Sequence, residues 1–145
     1  MEMISNEEKI TQAVLVSVDT GDYDAEASLA ELKELVKSAG AEPVFTVTQN
    51  LKRPETGTYV GTGKLQEIAD ICKQQEIDLL VFDCELSPTQ IRNIEAETDT
   101  RTIDRTMLIL DIFALRARSK EGKLQVELAQ LKYLMPRLTG KGVAM

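Results

Sequence analysis

Residues 101–138 read RTIDRTMLILDIFALRARSKEGKLQVELAQLKYLMPRL, and the changes of pattern within this stretch decide how the chain is organised. Met107, Leu108, Ile109, Leu110, Ile112, Phe113 and Leu115 make its first half almost continuously apolar. Such a run predicts a helix covered on most sides. A basic cluster follows at Arg116, Arg118, Lys120 and Lys123, with Gly122 inside it. Beyond it Leu124, Leu128, Leu131 and Met135 recur at i, i+4, i+7 and i+11, the narrow apolar seam of a coiled-coil helix. Val126, Ala129 and Leu134 widen that seam only partly, and Gln125, Glu127, Gln130 and Lys132 occupy the rest. A helix of this kind needs one partner helix, and the other segments offer none. The expectation is a truncated helical hairpin.

Upstream of the hairpin, apolar runs and helical periods alternate. Residues 13–19 (AVLVSVD) form a short β-branched run that ends in the turn signal Asp19-Thr20-Gly21-Asp22, as a central strand does. Residues 25–39 place Leu29, Leu32, Leu35 and Val36 on one helical face, with Gly40 as the stop. A second strand is predicted at 44–48, then a polar loop at 50–58 in which Pro54 and Gly57 prevent regular structure. Residues 61–74 open on glycines and become a helix with Leu65, Ile68, Ala69 and Cys72 inward. Residues 78–83 (DLLVFD) read as a third strand. Ser87-Pro88-Thr89-Gln90 has the residues of a capping box with proline at the first helical position. Residues 102–103 make a short fourth strand. The fold class predicted is α/β: a small four-stranded parallel sheet flanked by helices (1–103), followed by a long helical arm (104–145).

Composition bounds the partners. The chain has 145 residues, 43% of them hydrophobic, enough for one domain with a buried core. No run approaches the ~20 apolar residues of a membrane helix. The polar, acidic start MEMISNEEKI does not resemble a secretory signal. Cys72 and Cys84 lack metal-ligand spacing and there is no histidine, so no metal site is expected, and free thiols fit a reducing cytoplasm. The net charge of −7 is unevenly spread. Residues 101–145 hold nine Lys/Arg against four Asp/Glu, whereas residues 1–100 hold eight against twenty. A polyanion would therefore meet the arm. The simpler alternative is that these cations cap and solvate helix ends.

Two further motifs invite chemistry. Gly61-Thr62-Gly63-Lys64 has the look of a phosphate loop, but the full spacing needs glycine at 58 and a hydroxyl at 65, where Thr58 and Leu65 stand. What remains is a weak anion site at a helix N-terminus, or glycines that simply allow close packing. Asp19 and Asp83 end the first and third strands, where open α/β sheets place ligands. Together with Asp22, Asp24 and Glu85 they form an acidic rim, which leaves open a magnesium-binding phospho-receiver. That reading also wants a fifth strand and its lysine, and neither is visible. A purely structural dimerisation module, pairing through the 124–135 seam, is the other alternative.

The run IDRT…LILDIFA.RAR..EGKLQVELAQLKYL.PRL strongly resembles the N-terminal domain of HflX, a ribosome-associated GTPase. The likeness extends more loosely upstream through Tyr59-Val60-Gly61-Thr62-Gly63-Lys64, Phe82-Asp83 and Leu86-Ser87-Pro88, and covers the chain from about Ala13. The resemblance implies that a Gly-rich basic loop, a second long helix and a GTP-binding domain would follow. It implies large-subunit ribosomal RNA as partner, action on stalled or idle ribosomes, regulation of the protein's own G domain, and a cytoplasmic location. GTP and Mg2+ would belong to that G domain, with no catalytic residue and no cofactor in this part. The RNA-facing candidates are Arg116, Arg118, Lys120, Lys123, Arg137 and Lys141. Tyr133 is the one aromatic residue of the second arm helix, so shape and backbone recognition of structured RNA is expected over base stacking.

Overall fold

The structure is a computed structural model that describes residues 9–137. Four parallel strands, β1 (Thr11–Asp19), β2 (Ala41–Asn50), β3 (Leu79–Phe82) and β4 (Arg101–Asp104), form one sheet in the order β2-β1-β3-β4. Helices α1 (Ala25–Ser38), α2 (Thr62–Gln74) and α3 (Pro88–Thr98) are the crossovers between consecutive strands. Parallel neighbours need such connections, and they cover both faces of the sheet. The central strands show it: Ala13 to Val16 and Leu80 to Phe82 are 0% exposed. Full burial of each large apolar side chain contributes about 1.5–3 kcal/mol.

The predicted strands and helices are present with shifted ends. β2 is ten residues, longer than predicted at both ends, because this edge strand runs on through Glu42, Pro43, Gln49 and Asn50, which carry no strand signal. The capping box of α3 forms as read: Ser87 Oγ accepts from Gln90 N at 3.1 Å and Gln90 Oε1 accepts from Ser87 N at 2.9 Å. The polar loop at 50–58 is held by α3, since Gln90 Nε2 donates to Glu55 O at 3.2 Å and Asn93 Nδ2 donates to Gly57 O at 3.0 Å. It closes with mutual backbone bonds between Glu55 and Tyr59, which sits at φ 67°.

After β4 the chain turns back through α4 (Arg105–Arg116) and continues as α5 (Lys120–Leu134), ending in a 3-10 turn at Met135–Arg137. The prediction that the first arm helix is covered on most sides is corrected here. α4 buries one face, Met107, Leu108 and Ile112, and packs beside α1, while Phe113 and Leu115 are 54% and 68% exposed. α5 buries no residue at all. Its leucine seam faces outward, with Leu124, Leu128, Leu131 and Met135 each about half exposed or more, and what touches the body is the opposite side, Tyr133 and Leu134.

Candidate nucleic-acid interface

The basic cluster sits at the turn between α4 and α5. α4 ends at Ala117, whose extended backbone (φ −68°, ψ 132°) breaks the helix, and Ser119 caps α5 by accepting from Gly122 N at 2.9 Å. A Cβ on residue 122 would stand 2.9 Å from that same Ser119 Oγ, so a side chain there would make the hydroxyl shift. The turn thus fixes Arg116, Arg118, Lys120 and Lys123 within one corner of the molecule, all four exposed. None of them forms an ion pair among the described residues.

Helix electrostatics separates the four. Arg116, in the last turn of α4, complements the negative end of that helix dipole. Lys120 opens α5 and Lys123 lies one turn in, at the positive end, where a cation costs about 0.3–1 kcal/mol. Arg118 lies between the helices. Helix capping therefore accounts for Arg116 and fails for the other three.

The structure does not bring Arg137 into this cluster. α5's 15 residues put roughly 22 Å between its ends. At the far end the Arg137 guanidinium lies 3.8 Å above the Tyr133 ring, with Nε donating to Leu86 O (3.1 Å) and Nη1 to Tyr133 O (3.0 Å). Two of its five N–H donors are thus spent on its own chain. Lys141 lies outside the described residues.

Several groups of the other candidates are engaged by neighbours among the described residues. At Gly61, Thr62, Gly63 and Lys64, which open α2, the backbone N–H of Gly61 is already taken by Gln49 Oε1 (2.9 Å), and Lys64 pairs with Glu67 at 3.2 Å. The crevice between β1 and β3, where strand order reverses, is filled from within. The Asp83 carboxylate is buried and held by Arg105 Nη1 at 2.5 Å, and Arg105 Nη2 also binds Glu31. Asp19 Oδ1 accepts from Gly21 N at 2.9 Å. Asp19 and Asp83 are thus not a free acidic pair, which weighs against the receiver alternative. Beside them Tyr59 packs edge-on to Phe82, 6.2 Å between centroids. Burial pushes both the Tyr59 hydroxyl and the Cys84 thiol far above their ordinary ranges, so neither is a ready nucleophile.

Sequence reasoning missed Asp104. Its carboxylate, 0% exposed, accepts from Met107 N (3.0 Å), Leu86 N (2.9 Å) and the Tyr133 hydroxyl (2.5 Å). An aspartate between a strand and an apolar helix is an N-cap signal, and that one bond was readable. The two long-range donors were not.

Two family models match the chain: the GTP-binding GTPase N-terminal region over residues 26–114 and the GTP-binding GTPase middle region over residues 116–145. The chain belongs to the HflX family. The GTPase HflX of Alkalihalophilus pseudofirmus is 51% identical over 138 residues, covering 94% of this chain and 33% of the relative. That of Escherichia coli is 52% identical over 128 residues, covering 88% and 30%. Among solved structures, a GTP-binding protein from Sulfolobus solfataricus in complex with GDP is 32% identical at a TM-score of 0.66, covering 89% of this chain and 38% of that one. The chain therefore spans about a third of the curated HflX relatives it matches, and it corresponds to their N-terminal domain. The boundary between the two family models falls at Leu115, one residue before the basic corner.

Proposed function

We propose that this domain carries the ribosome contact of an HflX-type GTP-binding protein, and that the contact is made by Arg116, Arg118, Lys120 and Lys123 on large-subunit ribosomal RNA. The observation that supports it is the corner itself: four exposed cations on an acidic chain, without an ion pair among the described residues, two of them placed against a helix dipole that opposes them. Guanidinium groups fork two phosphate oxygens and lysines act as mobile point charges, so the corner suits a phosphate backbone. In this reading residues 1–103 are the body and 104–145 the arm. Lys141 adds to the RNA contact, while Arg137 serves the arm's own anchorage. A G domain elsewhere in the intact protein binds GTP and Mg2+ and hydrolyses GTP in the cytoplasm, acting on stalled or idle ribosomes, and the arm regulates it. The domain itself hydrolyses no GTP, because its glycine-rich turn lacks the phosphate-loop residues and its N–H is already bonded. The outward leucine seam is the surface on which two copies of the isolated chain would pair.

The test is pull-down of large ribosomal subunits by the parent and by a variant with all four cations replaced by glutamate. The variant is expected to bind measurably less, while Glu31→Lys with Glu34→Lys, a reversal of two charges on the body, leaves binding intact. Equal binding by the parent and the four-site variant would refute the assignment.

A further inference from the structure

α5 presents a contradiction. Its apolar seam, which hydrophobic burial would turn inward, points to solvent, and the helix buries no residue. The apolar seam therefore does not set its rotation. The residues that hold it to the rest of the domain are Gln130, Tyr133, Leu134 and, in the turn that follows, Arg137, at i, i+3, i+4 and i+7. Three of these four act through polar bonds. Gln130 Nε2 donates to Asp111 Oδ1 of α4 at 3.0 Å, and the Tyr133 hydroxyl donates to the buried Asp104 carboxylate. Arg137 stacks on the Tyr133 ring and ties the last turn to Leu86 O.

We propose that Tyr133, braced by Arg137, is a positioning residue that latches α5 to Asp104 and so fixes the rotation of the arm, holding the leucine seam outward. A rotation that buried the seam would swing Tyr133 away and leave a fully buried carboxylate one donor short. Unmade bonds to buried charged groups are costly, and buried polar groups are used elsewhere to fix helix register. Asp104 also caps α4 and holds Leu86 N, so it stays in place whichever way α5 turns and acts as a fixed post. The cleft of about 290 Å³ beside the latch, between α4 and α5, is bordered by Arg101, Leu110, Asp111 and Leu131 and is only loosely filled. Space is thus available for the helix to roll once the latch opens. Burial and the bond to Asp104 both raise the Tyr133 hydroxyl's pKa, which keeps it a proton donor at neutral pH.

Tyr133→Phe removes one oxygen and keeps the ring, so the variant should fold. Two readouts on the 145-residue chain separate a latch from a packing role. In hydrogen exchange, Tyr133→Phe is expected to speed the α5 amides roughly tenfold or more while β1, β3 and α1 are unchanged. In thiol labelling, a cysteine at the outward seam (Leu128→Cys) should react much faster than one on the half-buried side (Val126→Cys), and Tyr133→Phe should bring the two rates together. Exchange and labelling in Tyr133→Phe equal to the parent would overturn the proposal, leaving the ring's packing as its only role. Equal loosening of sheet and arm would overturn it too, because Tyr133 would then support the whole fold.

Discussion

Removing the Asp104 carboxylate tests the reading that one buried group joins the sheet, the first arm helix and the second. In Asp104→Ala the N–H groups of Met107 and Leu86, bonded at 3.0 and 2.9 Å, lose their acceptor in an interior from which water is excluded. Each unsatisfied buried donor costs about 1–3 kcal/mol. The Tyr133 hydroxyl is only part-buried and recovers some of its loss from water. A total of about 3–5 kcal/mol follows, a large share of the roughly 5–15 kcal/mol that holds a domain folded. With a urea m-value of about 1–3 kcal/mol/M, the unfolding midpoint should fall by at least about 1 M. Asp104→Asn keeps one acceptor oxygen for the α4 cap but turns an amide NH2 toward Leu86 N or Tyr133. Its cost should be smaller, about 1–3 kcal/mol. The assay is equilibrium urea unfolding followed by circular dichroism, with the m-value checked for constancy. An alanine variant within 1 kcal/mol of the parent would show that these bonds are replaceable and refute the reasoning.

Two further outcomes follow from the same geometry. Lys120→Glu with Lys123→Glu places acidic groups at the positive end of α5, so thermal unfolding should show about 0.3–1 kcal/mol of added stability per site even as polyanion affinity falls; a loss of stability would contradict the dipole argument. Burial raises the thiols of Cys72 and Cys84 above their ordinary value of 9.0. Both should resist alkylation at pH 8 in the folded chain and react in urea. Because the folded chain keeps these protons longer, their contribution to stability is complete below about pH 9 and is lost as pH rises through the folded values, so unfolding midpoints should fall above pH 9. Flat midpoints from pH 8 to 10.5, or rapid alkylation of the folded chain, would count against the burial described.

What was legible in the sequence was what depends on near neighbours. β1 and β3 announced themselves as short, largely apolar runs because strands buried on both faces need no polar alternation. The α3 capping box was readable because its partners lie three residues apart. β2 was read too short because this edge strand continues at its ends through Glu42, Pro43, Gln49 and Asn50, which carry no strand signal. The rotation of α5 was not legible for a different reason. Periodicity identified a seam at Leu124, Leu128, Leu131 and Met135 correctly, but the face that docks was chosen by Tyr133 and Gln130 reaching carboxylates 29 and 19 residues away in sequence. No local pattern encodes such a pairing. The basic corner was visible as composition, whereas the contacts of Arg137, read as an RNA-facing candidate, with Tyr133 and Leu86 were not.

The most direct test of the RNA-facing reading is a salt titration of large-subunit binding by the parent and by the variant carrying glutamate at 116, 118, 120 and 123. Each cation that neutralises a phosphate adds roughly one to the steepness of log affinity against log salt, through counterion release. The parent should weaken steeply with salt. The variant should bind less at low salt and show a slope flatter by several of these increments, in this chain and in the full-length protein alike. Superimposable titrations in both contexts would contradict the account, and the four charges would then serve only to solvate the turn.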